Sequence, residues 1–222
     1  MKVIAVHVGK PRSVTVAGAT FRTAGAKSSV ESALLRPDGF EGDGQANRTY
    51  HGGMDRTACV YAREHYAWWK QVHGFSLGPG AFAENLTVEG ALENEICIGD
   101  VLRVGTALIQ VSLPRDPCRT LDRLTGIAGF GNLARESGRC GFHARTVQEG
   151  LVRAGDDFDV VQRDAERITV AMALDLYHGR SDDYGLARRL LAMQSFAEQG
   201  KADIARRFGA PQGGSPGAPL SL

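Results

Sequence analysis

The sequence VLRVGTALIQVSLPRDPCR, at residues 101–119, contains the clearest strand pattern of the chain. Two apolar runs, residues 101–104 and 107–113, are separated by Gly105-Thr106. A glycine at the first position of a two-residue loop favours a type II′ turn between antiparallel strands. We therefore predict a β-hairpin whose second strand leads directly into Pro114-Arg115-Asp116-Pro117-Cys118-Arg119.

The turn around Cys118 has features that lower the pKa of a cysteine. Asp116 is a suitable N-cap, because its short carboxylate can accept from free backbone N–H groups, and Pro117 fits the first helical position. Cys118 would then lie in the first helical turn, near the positive end of the helix dipole and beside Arg115 and Arg119. These conditions favour a thiolate that acts as a nucleophile or as a ligand for a soft metal. The alternative is that Cys118 is a small buried apolar residue.

The 222 residues have the composition of a globular protein, with 43% hydrophobic and 23% charged residues. The net charge of +1 gives no bulk field that would attract nucleic acid or an anionic membrane. The apolar run at residues 1–7 is too short for a signal peptide and predicts a first strand. No stretch approaches the roughly 18 apolar residues of a membrane span. We therefore expect a cytoplasmic protein with one large domain, or one medium domain with an appendage.

The four cysteines lack CxxC spacing, so we expect reduced thiols rather than a disulfide framework. Cys59 and Cys97 lie in apolar runs that predict core packing. Cys140 is more ambiguous, because it could form a redox dithiol with Cys118, or a zinc site with Cys118 and His143. A catalytic pair of Cys118 with His51 or His143 is a further alternative.

Two glycine-rich loops, residues 39–45 and 51–56, carry four polar side chains that could face a ligand. Their glycines exclude regular structure, and paired glycines allow a backbone to approach a bound molecule closely. The alternative is that both are ordinary surface turns. The four side chains belong to Asp43, His51, Asp55 and Arg56.

The distribution of elements predicts a mainly β protein with helices. Residues 1–164 contain short strands and glycine turns, including an alternating strand at residues 142–148, and are interrupted by a helix at residues 62–72. Residues 165–209 predict a helical extension, with helices at 169–177, 184–198 and 201–208, and Thr169 can cap the first of them. Residues 210–222 are rich in Gly, Pro and Ser, which predicts a disordered tail.

An ordered set of short motifs resembles the MOSC family, the domain named after the C-terminal part of molybdenum-cofactor sulfurase, and its YiiM-like branch most closely. The set covers about residues 35–165, and its order makes it specific where each motif alone would be weak. The motifs are Gly42-Asp43-Gly44-Gln45, His51-Gly52-Gly53-Met54-Asp55-Arg56, Tyr61 with Glu64-His65-Tyr66, Glu84-Asn85-Leu86, Ile98-Gly99-Asp100, residues 107–112 and residues 114–118.

The resemblance implies a MOSC-type β-barrel at residues 1–164, with a small three-helix extension. It implies that Cys118 is the ligand of molybdenum in the molybdenum cofactor (molybdopterin), or a carrier of sulfide. YiiM-like proteins are associated with the reduction of N-hydroxylated bases such as hydroxylaminopurine, which implies a molybdenum-dependent reductase. The implied partners are a small-molecule substrate, an electron-donor protein and a second copy of the chain in a homodimer, without nucleic acid or membrane.

The same resemblance implies a set of site residues, since the phosphate and pterin edge of the cofactor need guanidinium, imidazole, amide and backbone N–H donors. The implied catalytic residues are Cys118, Arg115, His51 and Asp55. The implied cofactor-binding residues are Asp43, His51, Gly52, Gly53, Arg56, Glu84, Asn85, Arg115 and Arg145.

Two functional alternatives stay open: a carrier of sulfur or of the cofactor for a partner enzyme, and a metal-free thiol enzyme of a specialised pathway. The chain also departs from the branch at two points. Ala83 stands where glycine is more common, and Ser195-Phe196-Ala197 replaces a tryptophan–arginine pattern in the tail.

Overall fold

A computed structural model describes residues 1–44 and 53–209 of the chain. Within these ranges, backbone hydrogen bonding defines thirteen strands, six α-helices and one 3₁₀ turn, Met54–Arg56. The strands are β1 Lys2–Val8, β2 Arg12–Val16, β3 Ala19–Thr23, β4 Ser28–Val30, β5 Ser32–Arg36, β6 Gly39–Phe40, β7 Ala58–Ala62, β8 Leu86–Glu89, β9 Val101–Val104, β10 Ala107–Pro114, β11 Phe142–Gln148, β12 Gly150–Arg153 and β13 Phe158–Gln162. The helices are α1 Glu64–His73, α2 Thr120–Thr125, α3 Phe130–Ser137, α4 Val170–Tyr177, α5 Tyr184–Ala192 and α6 Glu198–Phe208.

Eight strands form one mixed sheet in the order β13-β9-β10-β11-β7-β8-β1-β4. All neighbours in it are antiparallel except β7 and β8, which are parallel and are connected through α1. A parallel pair needs such a crossover because a tight turn cannot return the chain to the starting edge. A three-stranded sheet, β12-β5-β6, and a hairpin, β2-β3, accompany the large sheet.

The expected closed barrel is not confirmed, since no strand ladder joins the ends of the large sheet in the residues that the structure describes. Its edges are β13 and β4. The chain before β13 reaches β1 through a single bridge between Lys2 and Asp157, supported by a 2.9 Å hydrogen bond from the Val3 N–H to the Asp156 carbonyl oxygen. The fold is therefore a mixed α/β arrangement around one large sheet.

The predicted hairpin at residues 101–113 is confirmed. β9 and β10 pair in antiparallel register from Val104 opposite Ala107. The predicted strand at 142–148 is also confirmed as β11, which pairs with both β10 and β7. Every residue of β7 is buried, as expected for a central strand that is covered on both faces.

Helix boundaries differ from the predictions where tertiary packing decides them. The helix expected at 184–198 ends at Ala192, because the chain turns extended at Met193 and buries Phe196 in the core. The next helix begins at Glu198 rather than at residue 201. The sequence prediction missed α3, which starts just after Gly129 in left-handed conformation. The predicted cap at Thr169 is confirmed, since its hydroxyl accepts from the Met172 N–H at 3.1 Å.

The C-terminal helices bury their apolar side chains in the same cluster as the large sheet. Leu174, Leu190 and Ile204 belong to the cluster that also contains Val6 and Val60. The division of the chain at residue 164 stays a prediction, and the predicted tail at 210–222 lies outside the described residues. Across the described ranges, no helix has the length and apolar character needed to cross a membrane.

A glycine between α3 and β11 is required for the strands to meet. Gly141 has a φ of +76°, and a Cβ there would clash with the Val60 carbonyl oxygen of β7. Its own carbonyl accepts from the Arg115 N–H at 3.1 Å, so it also holds the chain just after β10. This position therefore couples sheet packing to the turn that carries Cys118.

We predict that Gly141→Ala lowers the free energy of unfolding by about 3 kcal/mol or more, because left-handed strain and a backbone clash add together. The matched control is Gly129→Ala, which has a similar φ of +73° but open space around the added Cβ. The control should lose only about 1 kcal/mol. Urea denaturation of both variants measures the difference, and equal losses would contradict the clash.

Candidate active site

A cavity of about 890 Å³ lies beside the turn that contains Cys118. Its walls come from β3, β7, the end of β10, β11 and α2, and from α4 and α6 of the C-terminal part. Three carboxylates among the described residues line it: Asp43, Asp116 and Asp203. Twice as many cations line it, which favours an anionic ligand. The cations are Arg22, Lys27, Arg56, Arg115, Arg123 and Arg206.

The predicted N-cap at Asp116 is wrong. Helix α2 begins at Thr120, its N-cap position is Arg119, and no side chain caps it. The Asp116 carboxylate instead accepts from Arg135 of α3, with 2.7 Å between Nε and Oδ1, and from His178 after α4. These two donors hold the pKa of Asp116 below its usual value, although burial opposes the shift. Partners from distant segments have therefore outcompeted the local cap.

Cys118 consequently lies two residues before the helix and not in its first turn. Its carbonyl oxygen accepts from the Leu121 N–H at 3.0 Å, which shapes the entry into α2. Because α2 has only six residues, its dipole cannot be the main source of positive potential at the sulfur. That potential must come from side chains, and Arg115 is the nearest in sequence of the cations that line the cavity.

Arg115 is a buried cation, with only 8% of its surface exposed. Its Nη2 donates to the Phe82 carbonyl oxygen, while Nη1 has no hydrogen-bond partner among the described residues. Burial lowers the pKa of Arg115, but Cys59, Glu84 and other nearby acidic groups including Cys118 raise it to a net value above the usual one. The guanidinium therefore stays charged and retains one unsatisfied donor beside the cavity.

The other three cysteines are poor candidates for thiolate chemistry. Cys59, Cys97 and Cys140 are all buried, and burial raises the pKa of each thiol. The core positions predicted for Cys59 and Cys97 are confirmed, although Cys59 also reaches the cavity wall. Cys118 is partly exposed. It is therefore the most accessible sulfur of the four.

The zinc alternative finds no support in the described ranges. They hold no group of three or more His, Cys, Asp or Glu side chains that could bind a metal ion. Cys140 is fully buried, and its Sγ lies 3.3 Å from the Ala134 carbonyl oxygen. Of the three ligands considered, only Cys118 and His143 line the cavity.

Asp43 and Asn85 line the cavity as one bonded unit. The Asn85 side-chain amide donates to Asp43 at 2.8 Å and to the His7 carbonyl oxygen at 3.2 Å, and it accepts from the Cys59 N–H at 3.1 Å. Asp43 also accepts from the Gly9 N–H and from Lys27. Because both donors of the amide are used inside the protein, Asn85 fixes the position of Asp43 and of β7.

Glu84 does not line the cavity. It is fully buried, and its carboxylate accepts from the Tyr66 hydroxyl, the Thr87 hydroxyl and the backbone N–H groups of Gly80 and Phe82, at 2.6 to 3.1 Å. These four bonds build the loop that leads into β8. The loop requires a left-handed residue at Ala83, whose φ is +58°. Glycine avoids the strain that a side chain suffers there, which explains why this departure from the branch matters.

Asp55 and Arg145 also lie outside the cavity lining, as does Gly53. Arg145 Nη2 lies 2.8 Å from the Asp55 carboxylate, and its Nη1 donates to Gln110 at 3.1 Å. This pair fixes the 3₁₀ turn Met54–Arg56 against β10 and β11, so that Arg56 reaches the cavity. The predicted site residues His51 and Gly52 fall outside the described residues.

Sequence reasoning missed two parts of the cavity wall. Arg22 and Lys27 come from β3 and the loop after it, and the C-terminal helices contribute side chains from α4 and α6. Neither part carries a local motif. Arg123 is the one further cavity residue that the sequence could have indicated, because it lies on the short helix that follows Cys118. The missed residues of the C-terminal part are Tyr177, Gln199, Asp203 and Arg206.

A second cavity, of about 570 Å³, lies between α1, α3 and α4. His65 and Glu93 form a buried pair at its base, with 2.8 Å between Nε2 and Oε2. No cysteine and none of the predicted site residues line this cavity, so the larger one is the candidate active site.

Comparison of the sequence with known protein families identifies the class to which this fold and cysteine-containing cavity belong. Residues 47–159 match the sequence model of the MOSC domain, and the chain therefore belongs to the MOSC domain family. MOSC domains are associated in general with the molybdenum cofactor. The resemblance inferred from the motifs is confirmed.

Particular relatives are of the YiiM type. The chain is 34% identical to the uncharacterized protein YflK of Bacillus subtilis (strain 168) over 206 residues, which is 92% of this chain and 93% of the relative. It is 34% identical to protein YiiM of Escherichia coli (strain K12), covering 86% and 82% of the two chains. The crystal structure of YiiM from Geobacillus stearothermophilus superposes with a TM-score of 0.79 at 25% identity, covering 93% of this chain and 98% of that one.

A shorter match links the chain to a much larger protein. It is 30% identical over 129 residues to a protein named reductase from Gibberella moniliformis (strain M3125 / FGSC 7600). The match covers 56% of this chain and 23% of that protein.

We predict that iodoacetamide alkylates Cys118 at least about tenfold faster than the other cysteines in the native protein, because the other three are buried neutral thiols. Peptide mass spectrometry after timed quenching gives the rate at each site. In urea all four should react alike, and native Cys118→Ser should lose the fast phase. Equal native rates at Cys59 and Cys118 would contradict this assignment.

We also predict that Glu84→Gln lowers the free energy of unfolding by about 2–4 kcal/mol, since an amide NH₂ would face donors that need an acceptor. The control is Glu95→Gln at an exposed position, which should change stability by less than about 0.5 kcal/mol. Urea denaturation measures both. A loss no larger than that of the control would rule out the proposed role of the buried carboxylate.

Proposed function

We propose that this protein is a molybdenum-cofactor-dependent oxidoreductase that reduces N-hydroxylated compounds, with Cys118 as the thiolate ligand of molybdenum. The observation that carries the proposal is the position of the most accessible sulfur of the chain in a cavity where cations outnumber carboxylates two to one. The name reductase of the Gibberella relative and the association of MOSC domains with the cofactor support it.

The residues present fit such a cofactor. A thiolate is a preferred ligand for a soft metal site, and a cavity of about 890 Å³ falls in the range of cofactor pockets. The buried Nη1 of Arg115, which lacks a partner among the described residues, is a donor suited to an anionic or polar group. When bound, the cofactor would supply the electrons that cleave the N–O bond.

The side chains of the cavity would divide the binding work. Cys118 would bind the metal, and Arg56 and Arg115 would contact the anionic and polar edges of the cofactor. The attraction between Arg115 and Cys118 would stabilise a negative charge on the sulfur. Asp43, held by Asn85 and Lys27, would fix its loop rather than move protons.

The remaining implied residues would act indirectly. Asp55 and Arg145 would position Arg56 through the 3₁₀ turn, and Glu84 would hold the loop beside Arg115. The roles of His51 and of the backbone N–H groups at Gly52 and Gly53 stay part of the proposal. The balanced reaction converts a hydroxylamine, two electrons and two protons into an amine and water, with the electrons delivered by an electron-donor protein.

The test is the molybdenum and oxidised-pterin content of protein purified from a host that makes the cofactor. The wild type should carry about one molybdenum atom per chain, and Cys118→Ser should lose it at least about tenfold, because the ligand is removed. Cys140→Ala, which changes a buried thiol away from the cavity, is the control and should keep the metal.

Two results would contradict the proposal. One is a wild-type protein without molybdenum and pterin. The other is equal molybdenum in wild type and Cys118→Ser. A persulfide mass increment at Cys118 in metal-free protein would instead support the sulfur carrier considered above.

A further inference from the structure

We infer that Lys27 is a catalytic residue that donates the proton with which the oxygen leaves when the N–O bond of the substrate is broken. The inference rests on the proposed function and adds a residue to it. Lys27 lies in the loop between β3 and β4, before the segment that matches the MOSC domain, and it lines the same cavity as Cys118.

The proposed reaction needs a proton donor in the cavity. An oxygen that leaves without a proton departs as hydroxide, which is a poor leaving group, and a positioned acid accelerates such a step by about 10²–10⁴-fold. The arginines of the cavity cannot serve, because a guanidinium does not release its proton in proteins. The donor must therefore be sought among the other titratable groups that line the described part of the cavity.

The three carboxylates that line the cavity are already used as acceptors. Asp43 accepts three hydrogen bonds inside the protein in addition to its pairing with Lys27 through one of them. Asp203 Oδ1 lies 3.2 Å from Nη1 of Arg206. Burial would raise the pKa of Asp116, but its two hydrogen-bond donors hold that pKa below the usual value. Each carboxylate is therefore an acceptor with no proton to give.

The buried phenol and the buried thiol of the cavity wall are weak acids. Burial raises the pKa of Tyr177. Burial also raises the pKa of Cys59, which Arg115 and Lys27 lower only in part. Lys27 and His143 remain as cavity groups that can carry and release a proton, and the experiment below decides between them.

The ammonium group of Lys27 is buried and fixed in the cavity wall. Its side chain is only 7% exposed, and its Nζ donates to the Asp43 carboxylate. The stem packs against Gly9, where an added Cβ would lie 3.2 Å from Cγ of Lys27. Its charge acts on the Cys59 thiol together with that of Arg115, and all three residues line the cavity. Because Asp43 is its one acceptor among the described residues and an ammonium has three donors, donors remain for a ligand.

The proposed step balances with this proton. The N-hydroxylated substrate takes up two electrons, its N–O bond breaks, and the oxygen takes a proton from the Lys27 ammonium and leaves as water. The nitrogen takes the second proton from solvent. The neutral Lys27 amine then regains its proton from solvent, since the adjacent Asp43 carboxylate favours the charged form. Asp43 itself stays a fixed acceptor throughout.

The test uses two substrates that differ in their need for an acid, with reduced methyl viologen as electron donor. N-hydroxybenzamidine loses hydroxide and needs the proton, whereas its O-acetyl ester loses acetate, a stable anion that needs none. Lys27→Arg keeps the positive charge beside Asp43 but cannot release a proton. It should lower kcat for the N-hydroxy compound at least about hundredfold and kcat for the ester less than about threefold. The control Lys70→Arg, at an exposed position, should change neither.

A second variant and a second readout make the result independent of folding and of turnover. Lys27→Gln should show the same selective loss, and partial misfolding would lower both rates without changing their ratio. In the wild type, saturating N-hydroxybenzamidine should slow the acetylation of Lys27 by trace acetic anhydride at least about threefold, because a bound ligand covers the ammonium. Acetylation of Lys70 should not change, and peptide mass spectrometry measures both.

A purely structural lysine would give a different pattern. Equal losses of kcat on the N-hydroxy compound and the ester, or no protection of Lys27 from acetylation, would overturn the inference. It would also be overturned if the selective loss appeared in His143→Gln and not in Lys27→Arg. Missing molybdenum in the wild type would reject the proposed function separately, and the protection of Lys27 in that metal-free protein would still decide whether an N-hydroxylated ligand meets this residue.

Discussion

A positive charge buried at Arg115 is the constraint around which the active site is organised. A guanidinium that loses its hydration needs nearby negative or acceptor groups to remain stable. Glu84 supplies a fully buried carboxylate near it, and the Phe82 carbonyl oxygen accepts one of its donors. Gly141 holds its backbone N–H. The charge of Arg115 is therefore contacted by the loop that contains Phe82 and Glu84. The Arg115 backbone, in the turn before Cys118, is held by Gly141 at the start of β11.

The buried carboxylate of Glu84 also needs hydrogen-bond donors, and these donors connect it to the hydrophobic core. Glu84 takes a hydrogen bond from Tyr66 of α1, and burial together with Glu84 raises the pKa of that phenol, so it remains a donor. Tyr61 of β7 stacks on Phe82 with 3.9 Å between ring centroids, and Trp69 donates to the Tyr61 hydroxyl at 2.8 Å. The aromatic cluster thus fixes the loop that satisfies Arg115.

The sequence supported those parts of the fold that local patterns specify. The hairpin of β9 and β10, the strand β11 and the cap at Thr169 each depend on residues adjacent in sequence. Only the part of the cavity wall formed by motif residues could be anticipated, and it includes Asp43, Asn85 and Cys118. The strand register brings together residues that no sequence motif connects. On β11, His143 lies opposite Leu113 of β10 and opposite Cys59 of β7.

The failures have equally physical causes. The sequence around Asp116 suits an N-cap that accepts from nearby backbone N–H groups. Its carboxylate instead accepts from two side chains that are more than fifteen residues away in sequence. Glu84 was expected at the cofactor, but it does not line the cavity, because its carboxylate already accepts four hydrogen bonds inside the protein. Sequence shows which groups can bind a ligand. It does not show which of them the fold has already satisfied.

The pairing of β1 with strands from distant parts of the chain has a consequence for how the chain is made. β1 lies between β4 and β8, and its start is joined to the turn before β13. A ribosome therefore releases the first strand long before Leu86–Glu89 and Asp157 exist to cover it. Pairings so distant in sequence close slowly and leave an apolar edge exposed in the meantime. The strand β1 therefore keeps an unpaired edge on the nascent chain until the MOSC segment is complete.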